Sequence, residues 1–210
     1  REALERLREG NRRFVADVRG TNGFPRHARP ADLATGQQPF AIILGCSDSR
    51  VPAEIVFDQG LGDLFVVRTA GHATAPEVLG SIEYAVEVLR TPLVVVLGHD
   101  RCGAVQAAYE VFRGGPRPAG HLRTVIDALL LSVIRATGPA GEAQRDPDAA
   151  VARIVEVHIE QTVDLLLTDS PTLAGAVAAG RCAVVGMSYR LAAGRAQLVA
   201  AAPGTLQPDP

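Results

Sequence analysis

The amino-acid sequence predicts an α/β fold, with a mainly parallel central β-sheet flanked by helices and an N-terminal helical arm expected to pack on a partner subunit. Three observations carry this. Short apolar runs recur at Phe40–Leu44, Leu64–Val67, Leu93–Leu97, Cys182–Met187 and Ala196–Ala200. Segments with helical periodicity separate most of them, the alternation of a parallel-sheet protein. The first four runs are apolar on both faces, as strands covered by helices should be.

The elements follow in chain order. Leu4, Leu7, Asn11 and Phe14 recur at three-and-four spacing, which predicts an amphipathic helix over 2–16. Residues 20–39 are rich in Gly, Pro, Arg and Ala and predict an extended arm. The stripe of the first helix has little domain of its own to cover, so residues 1–39 are expected to embrace a neighbouring subunit. Residues 40–202 form the α/β unit. Within it, Val78, Ile82, Val86 and Leu89 share one stripe of a helix over 76–90, and 103–112, 121–137 and 149–168 also read as helix. Gly114–Gly120 and Gly138–Pro147 are loops. Residues 203–210 hold three prolines and predict a mobile tail.

Composition excludes several classes. There are 21 basic and 23 acidic residues, a net charge of −2, so neither nucleic acid nor an anionic membrane is an expected partner. Every basic residue is arginine. No apolar run approaches the roughly 18–20 residues of a membrane span. The opening residues show no secretory signal, and three cysteines make no disulfide framework. A reducing cytoplasm is therefore expected, where cysteines are buried, catalytic or metal-bound.

Chemistry in such sheets sits beyond the carboxyl ends of the strands. Two strand ends carry unusual residues. After Phe40–Leu44 comes GCSDSR, with Cys46, Asp48 and Arg50 at alternate positions; in an extended chain all three would point the same way. After Leu93–Leu97 comes GHDRCG, with His99 and Cys102. The spacing lets the two strands be neighbours. Two thiolates, an imidazole and a carboxylate would then converge, a four-ligand set suited to Zn2+. Neither half is specific alone, since a buried cysteine is ordinarily core. GLGD at 60–63 lacks the spacing of a nucleotide loop. His158, in HIEQ, reads as a helix surface residue, and Cys182 as inert core. His72 is a candidate to carry protons away, although a loop hydrogen bond is the plainer reading. Asp100 and Arg101 have no evident role.

The stretches CSDSRVPAEIVFDQGLGDLFVVRTAGH, GSIEYAVEVL and VVVLGHDRCGAV resemble the β-class carbonic anhydrases, most closely their bacterial, plant-type branch. The resemblance runs from EGNRRFV to AVVGMSYRLAAGRAQL and so covers nearly the whole chain. It implies reversible hydration of CO2 to bicarbonate and a proton, by attack of zinc-bound hydroxide. It implies one zinc per chain on Cys46, His99 and Cys102, with the fourth position alternating between Asp48 and water. Arg50 would pair with Asp48 through a bidentate bridge and keep it off the metal. Asp48 would then orient the hydroxide, and activity would climb between about pH 7 and 8.5. Gly103 leaves room for substrate at a helix start whose dipole favours an anion.

The resemblance further implies substrate contacts from Gln37, Phe65 and Tyr84, the aromatic pair reaching the site from a neighbouring subunit. Plain core packing is the alternative for Phe65 and Tyr84. The usual valine of that pocket is Ala70, which widens it. Some members respond to bicarbonate through a pocket that uses a tryptophan; this chain has none, so no such control is expected. A homodimer is implied, or a tetramer built from dimers. Two other functions fit the same residues: hydrolysis of carbonyl sulfide or CS2 on this scaffold, and a non-catalytic module that zinc only stabilises.

Overall fold

The computed structural model describes residues 1–18, 33–138 and 146–204. Most of the expected arm, the centre of the 138–147 loop and the tail beyond Gly204 lie outside the described residues.

Five strands form one sheet in the order β2-β1-β3-β4-β5. They are β1 (Ala41–Cys46), β2 (Leu64–Thr69), β3 (Leu93–His99), β4 (Ala183–Arg190) and β5 (Arg195–Ala201). The first four pair in parallel, and β5 returns antiparallel to β4. Alternating side chains face two separate cores, as strand geometry dictates. Ile42, Leu44, Val94, Val96 and Val184 face one core, under α3 (Pro76–Glu87), α4 (Gly103–Phe112), α5 (Leu122–Thr137), α6 (Pro147–Asp169) and α7 (Pro171–Ala178). Ile43, Val95, Leu97, Val185 and Met187 face the other, under α1 (Glu2–Val15) and the short α2 (Ala53–Val56).

Two sequence expectations are corrected here. Strands β1 and β3 are buried throughout, but every residue of β2 is only half-buried. It is an edge strand with one strand neighbour, so its cover is thinner, although Phe65 and Val67 pack against one core and Leu64 and Val66 against the other. The stripe of α1 is covered by its own chain: Leu4 and Leu7 are buried among Val56, Phe57 and Tyr189. Asn11 Nδ2 donates to the Val56 and Gly194 carbonyls, fixing the helix to the sheet. The expectation that this helix has little domain of its own to cover is therefore withdrawn.

Helix α6 starts at Pro147 behind an Asp146 cap that accepts from the Asp148 and Ala149 amides, which satisfies donors a helix start leaves free. It presses directly on β3. A Cβ at Gly98 would lie 2.6 Å from Ile159 Cδ1, so only glycine permits this approach. The result carries the middle of α6 close behind the carboxyl end of β3.

Candidate metal centre

Parallel pairing of β1 with β3, Gly45 opposite Leu97, brings their carboxyl ends together. Cys46 is the last residue of β1, His99 the last of β3, and Cys102 the N-cap of α4. Their ligand atoms all lie within 4.8 Å of one another, and all three residues are buried. The two sulfurs are 4.0 Å apart. Arg101, at φ +52, reverses the chain between His99 and Cys102, so a three-residue spacing delivers two donors to one point.

The donor set fits a metal ion. His99 Nδ1 donates to the Asp100 carbonyl at 2.8 Å. A carbonyl only accepts, so Nδ1 carries the proton and Nε2 is left with a lone pair. That Nε2 is buried and has no hydrogen-bond partner, a cost unless something else takes the lone pair. Backbone locking of the other ring nitrogen is the usual arrangement of a ligating histidine. The thiols are poised as well. A hydrogen bond from Cys102 pulls Cys46 down to about 4 against the opposing effect of burial. Cys102 is pushed up by Cys46 and by burial. One proton thus sits between two sulfurs, where a divalent cation would replace it.

Asp48 and Arg50 stand beside these donors in a form the alternation did not predict. The ladder ends at Cys46 and the chain turns, with the Val51 amide donating to the Asp48 carbonyl. The expectation of an extended Cys46–Asp48–Arg50 segment is therefore corrected. The turn folds Arg50 back on its neighbour. Arg50 Nε donates to Asp48 Oδ1 at 2.9 Å and its terminal nitrogen to Oδ2 at 2.7 Å, while its backbone amide donates to Oδ1 at 2.9 Å. These bonds hold the Asp48 carboxyl far below the usual range, burial opposing. Asp48 Oδ2 lies 3.8 Å from His99 Nε2.

Three residues that sequence reasoning left without a role hold this arrangement. Arg68 Nε donates to the Cys46 carbonyl at 2.9 Å, and a terminal nitrogen donates to the Asp48 carbonyl at 2.6 Å. An arginine directly after the apolar run Leu64–Val67, one residue before the end of β2, was the available signal. Asp100 Oδ1 accepts from the Leu191 amide, and the Arg101 carbonyl accepts from Arg50. The His158 expectation is overturned: the residue is 5% exposed, bonded to Ser132 and to the Gly71 carbonyl. Cys182 is buried in the core under α3–α7.

The remaining predicted residues lie as follows. A Cβ at Gly103 would meet no atom within 4 Å, so the helix start is open. Phe65 and Tyr84 have ring centroids 6.4 Å apart. Tyr84 is 48% exposed, so it is not a core residue of the single chain, whereas Phe65 is half-buried against the core. Gln37 is exposed, in the segment before β1.

Comparison with known proteins adds a second line. The carbonic anhydrase family model matches residues 41–196. The chain is similar to carbonic anhydrase 2 of Mycobacterium tuberculosis, at 47% identity over 201 residues, 93% of this chain and 91% of that protein. It is also similar to a carbonic anhydrase of Pseudomonas aeruginosa, 36% identical over 82% of this chain and 81% of that one. Among solved structures, a tetrameric beta-carbonic anhydrase of Sordaria macrospora superposes with a TM-score of 0.72 at 30% identity, covering 80% of this chain and 84% of that one. The Coccomyxa beta-carbonic anhydrase in complex with acetazolamide gives 0.71 at 26% identity, covering 91% and 83%.

Proposed function

The chain belongs to the carbonic anhydrase family, and on that footing we propose that it hydrates CO2 reversibly at a zinc ion held by Cys46, His99 and Cys102. The observation that carries the proposal is His99 Nε2, buried, without a partner and facing two thiols within 4.8 Å. Zinc bound there supplies an acidified water, hence a nucleophile near neutral pH.

The chain's own residues do the rest. Asp48 stays ionised through the physiological range, because Arg50 holds it low. It can therefore only accept, and from beside His99 Nε2 it orients the proton of the attacking water. Arg50 fixes both oxygens of that carboxylate, and Arg68 fixes the backbone on either side of it. The open helix start at Gly103 leaves room for CO2, and the dipole of that helix favours the bicarbonate anion. Gln37, Phe65 and Tyr84 complete the substrate pocket in this reading. The exposed Tyr84 on the side of an edge strand is consistent with a pocket shared between subunits, as a dimer or a tetramer of dimers. Residues 40–202 are the catalytic unit in this reading. Among the described residues no helix is long and apolar enough to cross a membrane; a cytoplasmic setting is part of the proposal.

The Asp48–Arg50 pair favours catalysis over a purely structural zinc. A closed site gains nothing from a cation that engages both oxygens of its fourth candidate ligand. Zinc content measured beside CO2 hydration tests the proposal, with carbonyl sulfide assayed in parallel. Metal-free protein, or turnover of the sulfide alone, would overturn it.

A further inference from the structure

The backbone of Gly71 touches both the donor set and a buried histidine. Its N–H donates to Cys46 Sγ at 3.3 Å. Its carbonyl accepts from His158 Nε2 at 2.9 Å. On the far side of the ring, His158 Nδ1 lies 2.8 Å from Ser132 Oγ. His158 belongs to α6, Ser132 to α5 and Gly71 to the 3-10 turn Ala70–His72. None of the three is a metal ligand.

This chain of contacts is tightly made. His158 is 5% exposed and Ser132 fully buried. Gly71 sits at φ +62, and a Cβ there would meet Leu129 at 3.0 Å and Ala104 at 3.1 Å, so any side chain would be strained by conformation and crowded in space. The next residue, His72, is held at φ +44, a strained conformation that the surroundings must enforce. Its ring lies 4.2 Å from that of His158, at 32°. Burial, against the raising effect of the Gly71 carbonyl, pushes His158 down to about 4. The imidazole is therefore neutral at physiological pH. Since the carbonyl only accepts, Nε2 holds the proton and Nδ1 faces the Ser132 hydroxyl, an oxygen that also lies 2.9 Å from Gln161 Oε1.

We propose that His158 is a positioning residue for the metal centre: by fixing the Gly71 carbonyl it aims the Gly71 N–H at Cys46 and sets the charge on the sulfur that meets the metal. The inference rests on the zinc reading above. An N–H···S bond draws charge from a thiolate, so the sulfur donates less to the metal and the metal stays more acidic. Losing the bond makes the sulfur a stronger donor. Two consequences have a fixed sign. The sulfur-to-metal charge-transfer band of cobalt-substituted protein moves to lower energy. The pH midpoint of CO2 hydration moves up, so the loss of activity is greatest at neutral pH and narrows as pH rises.

The test compares wild type, His158→Leu, His158→Gln and Ser132→Ala in the full-length chain. Leucine removes the donor; glutamine places an amide N–H at similar reach. The expected result is a lower-energy band in His158→Leu, with activity at neutral pH down roughly tenfold to a hundredfold, the usual range for losing an outer-shell partner. His158→Gln should restore both readouts. A folded His158→Leu with the wild-type band and the wild-type pH midpoint would overturn the inference. If His158→Leu fails to fold, Ser132→Ala decides: it should shift the band in the same direction, and an unchanged band overturns the inference. Wild-type protein that binds no zinc would instead overturn the underlying reading, so the two failures are distinguishable.

Discussion

Acid should destabilise this fold through His158 more than through any exposed histidine. The group ordinarily titrates near 6.5 and burial lowers it to about 4. The unfolded chain therefore takes up a proton near pH 6.5, while the folded chain takes it up only near 4. Between those values the unfolded state binds more protons, so stability falls as pH falls. The difference amounts to roughly 3 kcal/mol over the full window, and about 2.5 kcal/mol by pH 4.5, at 1.36 kcal/mol per pH unit. His72, lowered by burial and by its histidine neighbours, adds in the same direction. His158→Gln keeps the bond to Gly71 but cannot titrate. Urea denaturation of metal-free wild type and His158→Gln, at one protein concentration from pH 7.5 to 4.5, isolates the contribution. The wild type should lose about 2.5 kcal/mol more than the variant across that range. Parallel pH profiles for the two proteins would refute the reasoning.

Other outcomes follow from the same geometry. Cys102→Ala should lose zinc, while Cys182→Ser, altering a buried thiol of the core, should keep both zinc and activity; metal analysis of the two decides. Arg50→Ala leaves Asp48 only the backbone bond from residue 50. It should retain zinc but lose CO2 hydration roughly fivefold or more, from about 1 kcal/mol for a half-exposed pair; wild-type turnover at pH 8.5 would contradict the role given to Arg50. Leu7→Ala, at a fully buried position on α1, should cost about 3 kcal/mol in denaturant unfolding, and a cost near zero would show that α1 is not part of the folded core.

The strands were legible because their apolar runs are nearly pure. Their ends were read short, since Gly45, Cys46, Gly98 and His99 look like loop residues but continue the ladders. Helix α4 was read as it stands, over 103–112. The short α2 and α7 were not read at all, α7 being eight residues with little polar contrast. The metal donors were legible from type and spacing. The turn at Asp48 was not, because alternation describes only a chain that stays extended, and here the Arg50 side chain returns to its neighbour. His158 was misread although the signal was present. Val151, Ile154, Val155, Ile159, Thr162 and Val163 form the buried face of α6, and position 158 lies on that same stripe, four residues from 154 and from 162. A polar residue on an apolar helical stripe needs a buried partner, and Ser132 with Gly71 provides one. Nothing near position 158 in the chain points to either of them.

Zinc content and CO2 hydration measured together, in wild type and in Cys46→Ala, test the central claim most directly. The wild type should hold about one zinc per chain, as two sulfurs and one nitrogen imply, and should hydrate CO2. Cys46→Ala should lose both. A folded Cys46→Ala that keeps full zinc occupancy, or that hydrates CO2 at the wild-type rate, would contradict the account.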